Sequence, residues 1–147
     1  MLGSKEKIAK EAIGINGTKL FKAGSLLVGM YDTAAFKLGI LLEESSSNQA
    51  CANIQPNNDL CNIEWLFNCF QIMRPLFLQS RKGIRQQNLS QSVIKKIKIP
   101  LPNIAEQNTF ALHIKKQVDT IMKQKECYQE SENLFNSLLQ KAFRGEL

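Results

Sequence analysis

Arg81, Lys82, Arg85, Gln86 and Asn88, with Gln87 between them, are the side chains of most specific chemistry in this sequence, and they stand within one short stretch. Arginine and lysine neutralise phosphates, a guanidinium grips the O6 and N7 of a guanine, and an Asn or Gln amide does the same for the N6 and N7 of an adenine. The stretch lies inside a larger patch of one sign: Arg74, Arg81, Lys82, Arg85, Lys95, Lys96 and Lys98 fall between Glu64 and Glu106 with no Asp or Glu among them. Such a patch either meets a polyanion, with release of counterions, or faces solvent beside an acidic protein. Gln86 to Ser90 also have a plainer use, since Asn and Ser cap turns in proteins of every function. A net charge of +6 and a pI near 9.2 favour an acidic partner such as nucleic acid.

Catalytic patterns are missing. The sequence contains no G-x-x-x-x-G-K-[ST], no helix-opening G-x-G-x-x-G, no H-E-x-x-H and no G-x-S-x-G. His113 is the only histidine and has no carboxylate cluster near it in sequence to orient it, while Asp32, Glu43 and Glu44 do not form a metal-dependent nuclease pattern. Cys51, Cys61, Cys69 and Cys127 include no C-x-x-C pair, so neither a zinc site nor any other metal or cofactor is expected. With no secretory leader and no apolar run of about 18 residues, the expectation is a cytoplasmic, non-membrane chain with reduced, mostly buried thiols.

The elements that must position the basic stretch follow from periodicity. The 147 residues, 44% of them hydrophobic, allow one core and an appendage. Met1 to Ile15 is weakly patterned and expected to fray, and Asn16-Gly17 and Lys22-Ala23-Gly24 signal turns. Ser25 to Met30, Phe36 to Leu42 and Ala50 to Ile54 are strand candidates, the last ended by Pro56 and the second followed by a Ser45–Ser47 loop. Asn57-Asn58-Asp59 offers N-cap chemistry for a helix whose apolar residues are Leu60, Ile63, Phe67, Phe70 and Met73, widened by Trp65 and Leu66. The aromatics among these are expected in the core, and Pro75 is expected to kink or end the helix. A last strand, Val93 to Ile99, leads into the stiff hinge Pro100-Leu101-Pro102.

Asn103 as N-cap and Glu106 three residues on open a helix over Ile104 to Phe143, with no Pro or Gly before Gly145. At 1.5 Å per residue it reaches roughly 60 Å, too long to pack wholly on a domain of this size, so it must project and find a partner. A heptad supports this, with Ala111, Val118, Lys125, Glu132 and Leu139 at a and Ile114, Ile121, Tyr128, Phe135 and Ala142 at d. Leu134 and Leu138 add a second apolar strip, which suits a bundle with another protein. If the partner is a second copy, pairing is expected to be antiparallel, because parallel helices bring both basic domains to one end.

Several separated pieces, taken in order, resemble the specificity subunits of type I DNA restriction-modification enzymes. Lys22-Ala23-Gly24-Ser25-Leu26-Leu27 is similar to the Gly-Asp-Leu-Leu that begins a strand of their target recognition domains. Ser47-Asn48-Gln49-Ala50 followed by Ile54-Gln55-Pro56 resembles an Asn-Gln-…-Pro segment, and Gly83 through Ser90 a Gln-x-Asn-Leu turn. Ile97 through Gln107 resembles the start of the family's conserved helix, and Leu138 through Leu147 its end. The resemblance implies an α+β fold, with a small mixed target-recognition-domain-like globule followed by one long projecting coiled-coil helix. It implies a partial recognition domain over residues 1–102 and a spacer and dimerisation helix over 103–147. The implied role is a non-catalytic, half-length subunit that reads one half of a bipartite DNA site and docks methyltransferase subunits.

On that reading Arg74, Arg81, Lys82, Arg85, Gln86 and Asn88 touch DNA. Ile114, Val118, Ile121, Lys125, Tyr128, Glu132, Phe135 and Leu139 meet a partner helix, in an antiparallel homodimer or a methyltransferase subunit. Whole subunits of this kind carry two recognition domains and two helices, whereas this chain carries one helix and the later part of one domain. The rival reading is therefore a truncated assembly module that binds partners through its helix without reading DNA; a metal-dependent nuclease would need a carboxylate cluster.

Overall fold

The computed structural model describes residues 7–15, 19–31, 35–80 and 89–146, and the chain divides into two compact units, Met1–Asn108 and Thr109–Leu147. In the first unit, β1 (Leu26–Gly29), β2 (Leu38–Ile40) and β3 (Cys51–Ile54) form an antiparallel sheet in the order β2-β1-β3. Each lies inside one of the three strand segments expected from sequence. Register pairs Leu26 with Ile40 and Ile54, and Val28 with Leu38 and Ala52. Because strand side chains alternate, this sets Leu26 and Val28 on one face, and both are fully enclosed. Burying each contributes about 1.5 to 3 kcal/mol.

Against that face packs α1 (Ile63–Ser80), which buries Leu66, Cys69 and Phe70 and half-buries Ile63, Phe67 and Phe77. Phe36, between β1 and β2, stacks on Phe70 at 5.8 Å and on Phe77 at 4.6 Å between ring centroids. It does so from a left-handed backbone conformation (φ 59°), uncommon for a bulky residue. The Phe36 N–H donates to Gly29 O at 2.8 Å, and that bond with the two stacked rings holds it there. Lys10–Ala12 forms one 3-10 turn that buries nothing, in keeping with the weak patterning of that end.

Three expectations need correction. Asn57 does not cap α1: its Oδ1 accepts from Asp59 N–H in a separate turn, and Asn62 is the cap, accepting from Glu64 N–H at 2.8 Å and Trp65 N–H at 3.2 Å. Leu60 consequently precedes the helix and is 59% exposed. Of the two outcomes expected at Pro75, the end does not occur, since α1 runs on through it to Ser80. The missing N–H and the ring clash cost about 3 kcal/mol in a helix interior, and Phe77, two residues on, offsets this by stacking on Phe36. Val93 to Ile99 is not a strand: α2 (Gln91–Lys95) occupies its first half, Lys96 closes it in a helical conformation, and the rest pairs with no strand among the described residues. Ser90 decides this locally, its Oγ accepting from Val93 N–H at 3.3 Å as N-cap. Only Ile94 of α2 is buried, with Ile97 and Ile99 packed on the core beyond it.

The long helix α3 spans Ile104–Phe143, as its caps foretell. Asn103 Oδ1 accepts from Glu106 N–H at 2.9 Å. At the other end Gly145 N–H donates to Ala142 O and Glu146 N–H to Lys141 O, with Gly145 at φ 70°, the Schellman arrangement that favours glycine. No described helix is long and apolar enough to cross a membrane.

Candidate nucleic-acid interface

Arg81, Lys82, Arg85, Gln86 and Asn88, together with Gln87, lie outside the described residues. The structure fixes what brackets them. On one side is the end of α1 at Ser80; on the other Leu89 is buried and its N–H donates to Met30 O at 2.9 Å, tying the chain to the end of β1. Arg74, on α1, is half-buried, and its enclosed Nε meets no acceptor among the described residues. Lys95 closes α2, Lys96 is its C-cap and Lys98 follows; all three are exposed and face solvent. Ser90 takes the turn-capping role weighed for Gln86 to Ser90, which removes it from direct base contact.

Beside α2 a groove of about 260 Å³ opens along the free edge of β3, lined among others by Lys19, Phe21, Asn53, Ile54, Gln91 and Lys95. Lys19, Asn53 and Gln91 were not singled out from sequence. They are far apart along the chain and only the fold brings them together, so nothing in their spacing could have marked them. Asn53 sits on β3 with its side-chain Nδ2 enclosed and without an acceptor. Cys51 also lines the groove. Burial raises its thiol pKa, and that of Cys61; for Cys69 burial comes first and the neighbouring Cys61 adds to it. These thiols stay protonated at neutral pH and supply no nucleophile. Cys61 and Cys69 are buried and Cys51 is half-buried, while Cys127 is exposed. Among the described residues no three His, Cys, Asp or Glu side chains gather as a metal would require.

A second polar arrangement holds the start of α3. Gln107 is fully buried and uses both ends of its amide: Oε1 accepts from Asn62 N–H at 2.8 Å, and Nε2 donates to Leu60 O at 3.0 Å and Pro102 O at 2.7 Å. Asn62 Nδ2 donates to Asn108 Oδ1 at 2.8 Å, and Trp65 Nε1 to Pro100 O at 3.0 Å. The cap of α1, the Pro100-Leu101-Pro102 hinge and the first turn of α3 thus form one clasp. Its signal in the sequence was the Glu106-Gln107 pair, read there only as part of a helix opening.

On α3, Val118, Ile121, Tyr128, Phe135 and Leu139 are exposed, as are Lys125 and Glu132, while Ile114 is half-buried.

Sheet, packed helix and a cationic margin without carboxylates describe an α+β recognition domain carrying a long helix at its C-terminal end. Residues 2–128 match the family model of the type I restriction modification DNA specificity domain, and the chain belongs to that family, which is generally non-catalytic. It is similar to the type I restriction enzyme EcoBI specificity subunit of Escherichia coli, 30% identical over 119 residues, covering 76% of this chain and 25% of that subunit. It shares the fold of a chain from a solved type I R-M system, with a TM-score of 0.66 at 22% identity, covering 88% of this chain and 33% of that one. The chain therefore spans a quarter to a third of the relatives it matches.

Proposed function

We propose that this chain is a non-catalytic DNA-specificity unit of a type I restriction-modification system, acting in the cytoplasm. Its recognition domain, over residues 1–102, reads one half of a bipartite duplex site. Its helix, over 103–147, spaces and joins subunits. The observation that carries this reading is the family match over most of the chain on a fold shared with a type I R-M chain.

Arg81, Lys82, Arg85, Gln86 and Asn88 supply phosphate contacts and bidentate base contacts, with Arg74 at their flank. The helix residues Ile114, Val118, Ile121, Lys125, Tyr128, Glu132, Phe135 and Leu139 cover a partner helix, either of a second copy or of a methyltransferase subunit. A second copy related by a two-fold axis supplies the other half-site, the geometry a bipartite site requires.

The test is duplex binding at several salt concentrations. Arg81→Ala or Arg85→Ala lowers the salt slope by about one unit if the residue holds a phosphate, or relaxes specificity at one base pair if it holds a guanine. Unchanged isotherms in both variants remove these residues from the interface. Methylation profiling with the cognate methyltransferase then names the site.

One observation favours a second reading, an assembly module that does not read DNA. Tyr128 and Phe135, both at seam positions, are 68% and 61% exposed in the free chain, a large apolar surface looking for cover. A stable dimer without salt-dependent DNA binding selects it.

A further inference from the structure

The groove beside β3 is a site that the basic stretch does not account for. Its polar lining is without acid among the described residues: Lys19 and Lys95 are cations, and Asn53 and Gln91 carry amide donors. The Asn53 Nδ2 has no acceptor among the described residues. A buried unpaired donor is destabilising by about 1 to 3 kcal/mol, and an acceptor entering the groove removes that cost.

The sheet register adds to this. Met30 N–H donates to Ala50 O, and β1 and β3 continue in register as Val28 with Ala52 and Leu26 with Ile54. In an antiparallel ladder the hydrogen-bonded pairs alternate, so Ala52 and Ile54 turn their main-chain groups to β1, and Cys51 and Asn53 turn theirs to the free edge. Cys51 N–H is already bonded to Asn48 O at 3.2 Å. Asn53 alone in this strand then keeps an outward main-chain N–H, beside its unpaired side-chain donor.

We propose that this groove seats a phosphate of a nucleic-acid backbone, with Lys19 and Lys95 as counter-charges and Asn53 as donor. The proposal rests on the DNA-reading assignment above and places part of that interface within the described residues. It also continues the basic stretch, because Gln91 and Lys95 follow closely after Leu89, where that stretch rejoins the fold. An extended peptide added to the β3 edge is the competing occupant. Strand addition needs a ladder of outward donors and acceptors, and a strand of four residues with one outward N–H left offers too little of one.

Binding of the full chain to a mixed-sequence duplex oligonucleotide, measured over a salt series, tests it. Lys19→Ala and Lys95→Ala are each expected to lower the salt slope by about one unit. Asn53→Ala is expected to weaken binding about tenfold at unchanged slope. Lys123→Ala, an exposed cation on α3, leaves the slope as in wild type. If wild type binds and both lysine variants keep its slope, the groove is rejected while the DNA-reading assignment stands. If wild type binds no duplex even at the lowest salt, both fall. Intact duplex binding with lost association to the methyltransferase assigns the groove to a protein strand and overturns the proposal. The two lysines are exposed and are not part of the core, so their variants report binding even where Asn53→Ala disturbs β3.

Discussion

Met1–Asn108 and Thr109–Leu147 use their apolar side chains in opposite ways. In the first unit Leu26, Val28, Phe36 and Phe70 are at most 3% exposed, and their burial is what makes a sheet of short strands and one helix cohere. In the second, Ile121, Tyr128, Phe135 and Phe143 are between 61% and 89% exposed, so the helix draws on its caps, its length and its propensity. The first unit closes a core with these side chains, although Ile72 and Leu76 on α1 remain 75% and 65% exposed. In the second unit no described residue is buried.

The sharpest way to break the contrast is to remove one large side chain from each unit. Phe70→Ala is expected to cost about 3 to 5 kcal/mol, because it leaves a cavity under Phe36 and strips the α1 face, and that is enough to unfold a marginal domain. Phe143→Ala, at a position 89% exposed, is expected to change the stability of the free chain by less than about 0.5 kcal/mol. Thermal unfolding of the two variants decides it; a Phe70→Ala protein that melts with wild type and has lost only DNA binding would move Phe70 from the core to the interface.

Gln107 and Ser25 are the polar residues in the buried set, and Gln107 is the larger. Gln107→Ala leaves Asn62 N–H, Leu60 O and Pro102 O without their partner, and is expected to cost about 2 to 4 kcal/mol. Gln107→Glu keeps the acceptor for Asn62 but sets a carboxylate against two carbonyls, and so is expected to be at least as damaging. Denaturant midpoints measure both; a neutral Gln107→Ala would mean the clasp is replaced by water at no loss. Ser90→Ala removes a single N-cap bond from a short helix, with an expected cost of about 1 kcal/mol.

The two regions were also unequally legible. The bounds of α3 could be read directly because each end is local chemistry: Asn103 within reach of the Glu106 N–H, and Gly145 where a left-handed residue must stand. The three strands were visible as short apolar runs. Errors arose where two local signals competed and tertiary contact chose between them. Asn57 and Asn62 are both capable caps, and Asn62 is the one whose own N–H is held by Gln107 from the far side of the sequence. Pro75 breaks helices in isolation, but Phe77 is stacked on Phe36. Ile97 and Ile99 alternate like a strand, yet Ser90 starts a helix upstream and no neighbouring strand pairs with the remainder. The basic patch was readable as charge, whereas the Lys19, Asn53 and Lys95 groove exists only after β3 and α2 are placed side by side.

The smallest expected effect tests whether the helix finds its own copy. Antiparallel pairing sets each a position against a partner d position. One register does this along the seam: Ala111 against Ala142, Ile114 against Leu139, Val118 against Phe135, Ile121 against Glu132 and Lys125 against Tyr128. Small residues meet at the ends, the apolar pairs Ile114–Leu139 and Val118–Phe135 follow, and Glu132 and Lys125 lie toward the middle. Glu132 then lies about one helical turn from the partner's Lys125, close enough for two long side chains to pair at the edge of the seam, twice by symmetry. Both are exposed in the free chain and open to such pairing. Partly exposed pairs of this kind contribute roughly 0.2 to 1 kcal/mol each, so Glu132→Lys is expected to weaken the dimer severalfold rather than abolish it. Lys125→Glu combined with Glu132→Lys restores the pair with its charges exchanged, and should restore affinity. Sedimentation equilibrium reads all three proteins: a monomeric wild type removes the self-pairing helix, and a dimer that the double variant fails to rescue removes this register while leaving the exposed seam to a different partner.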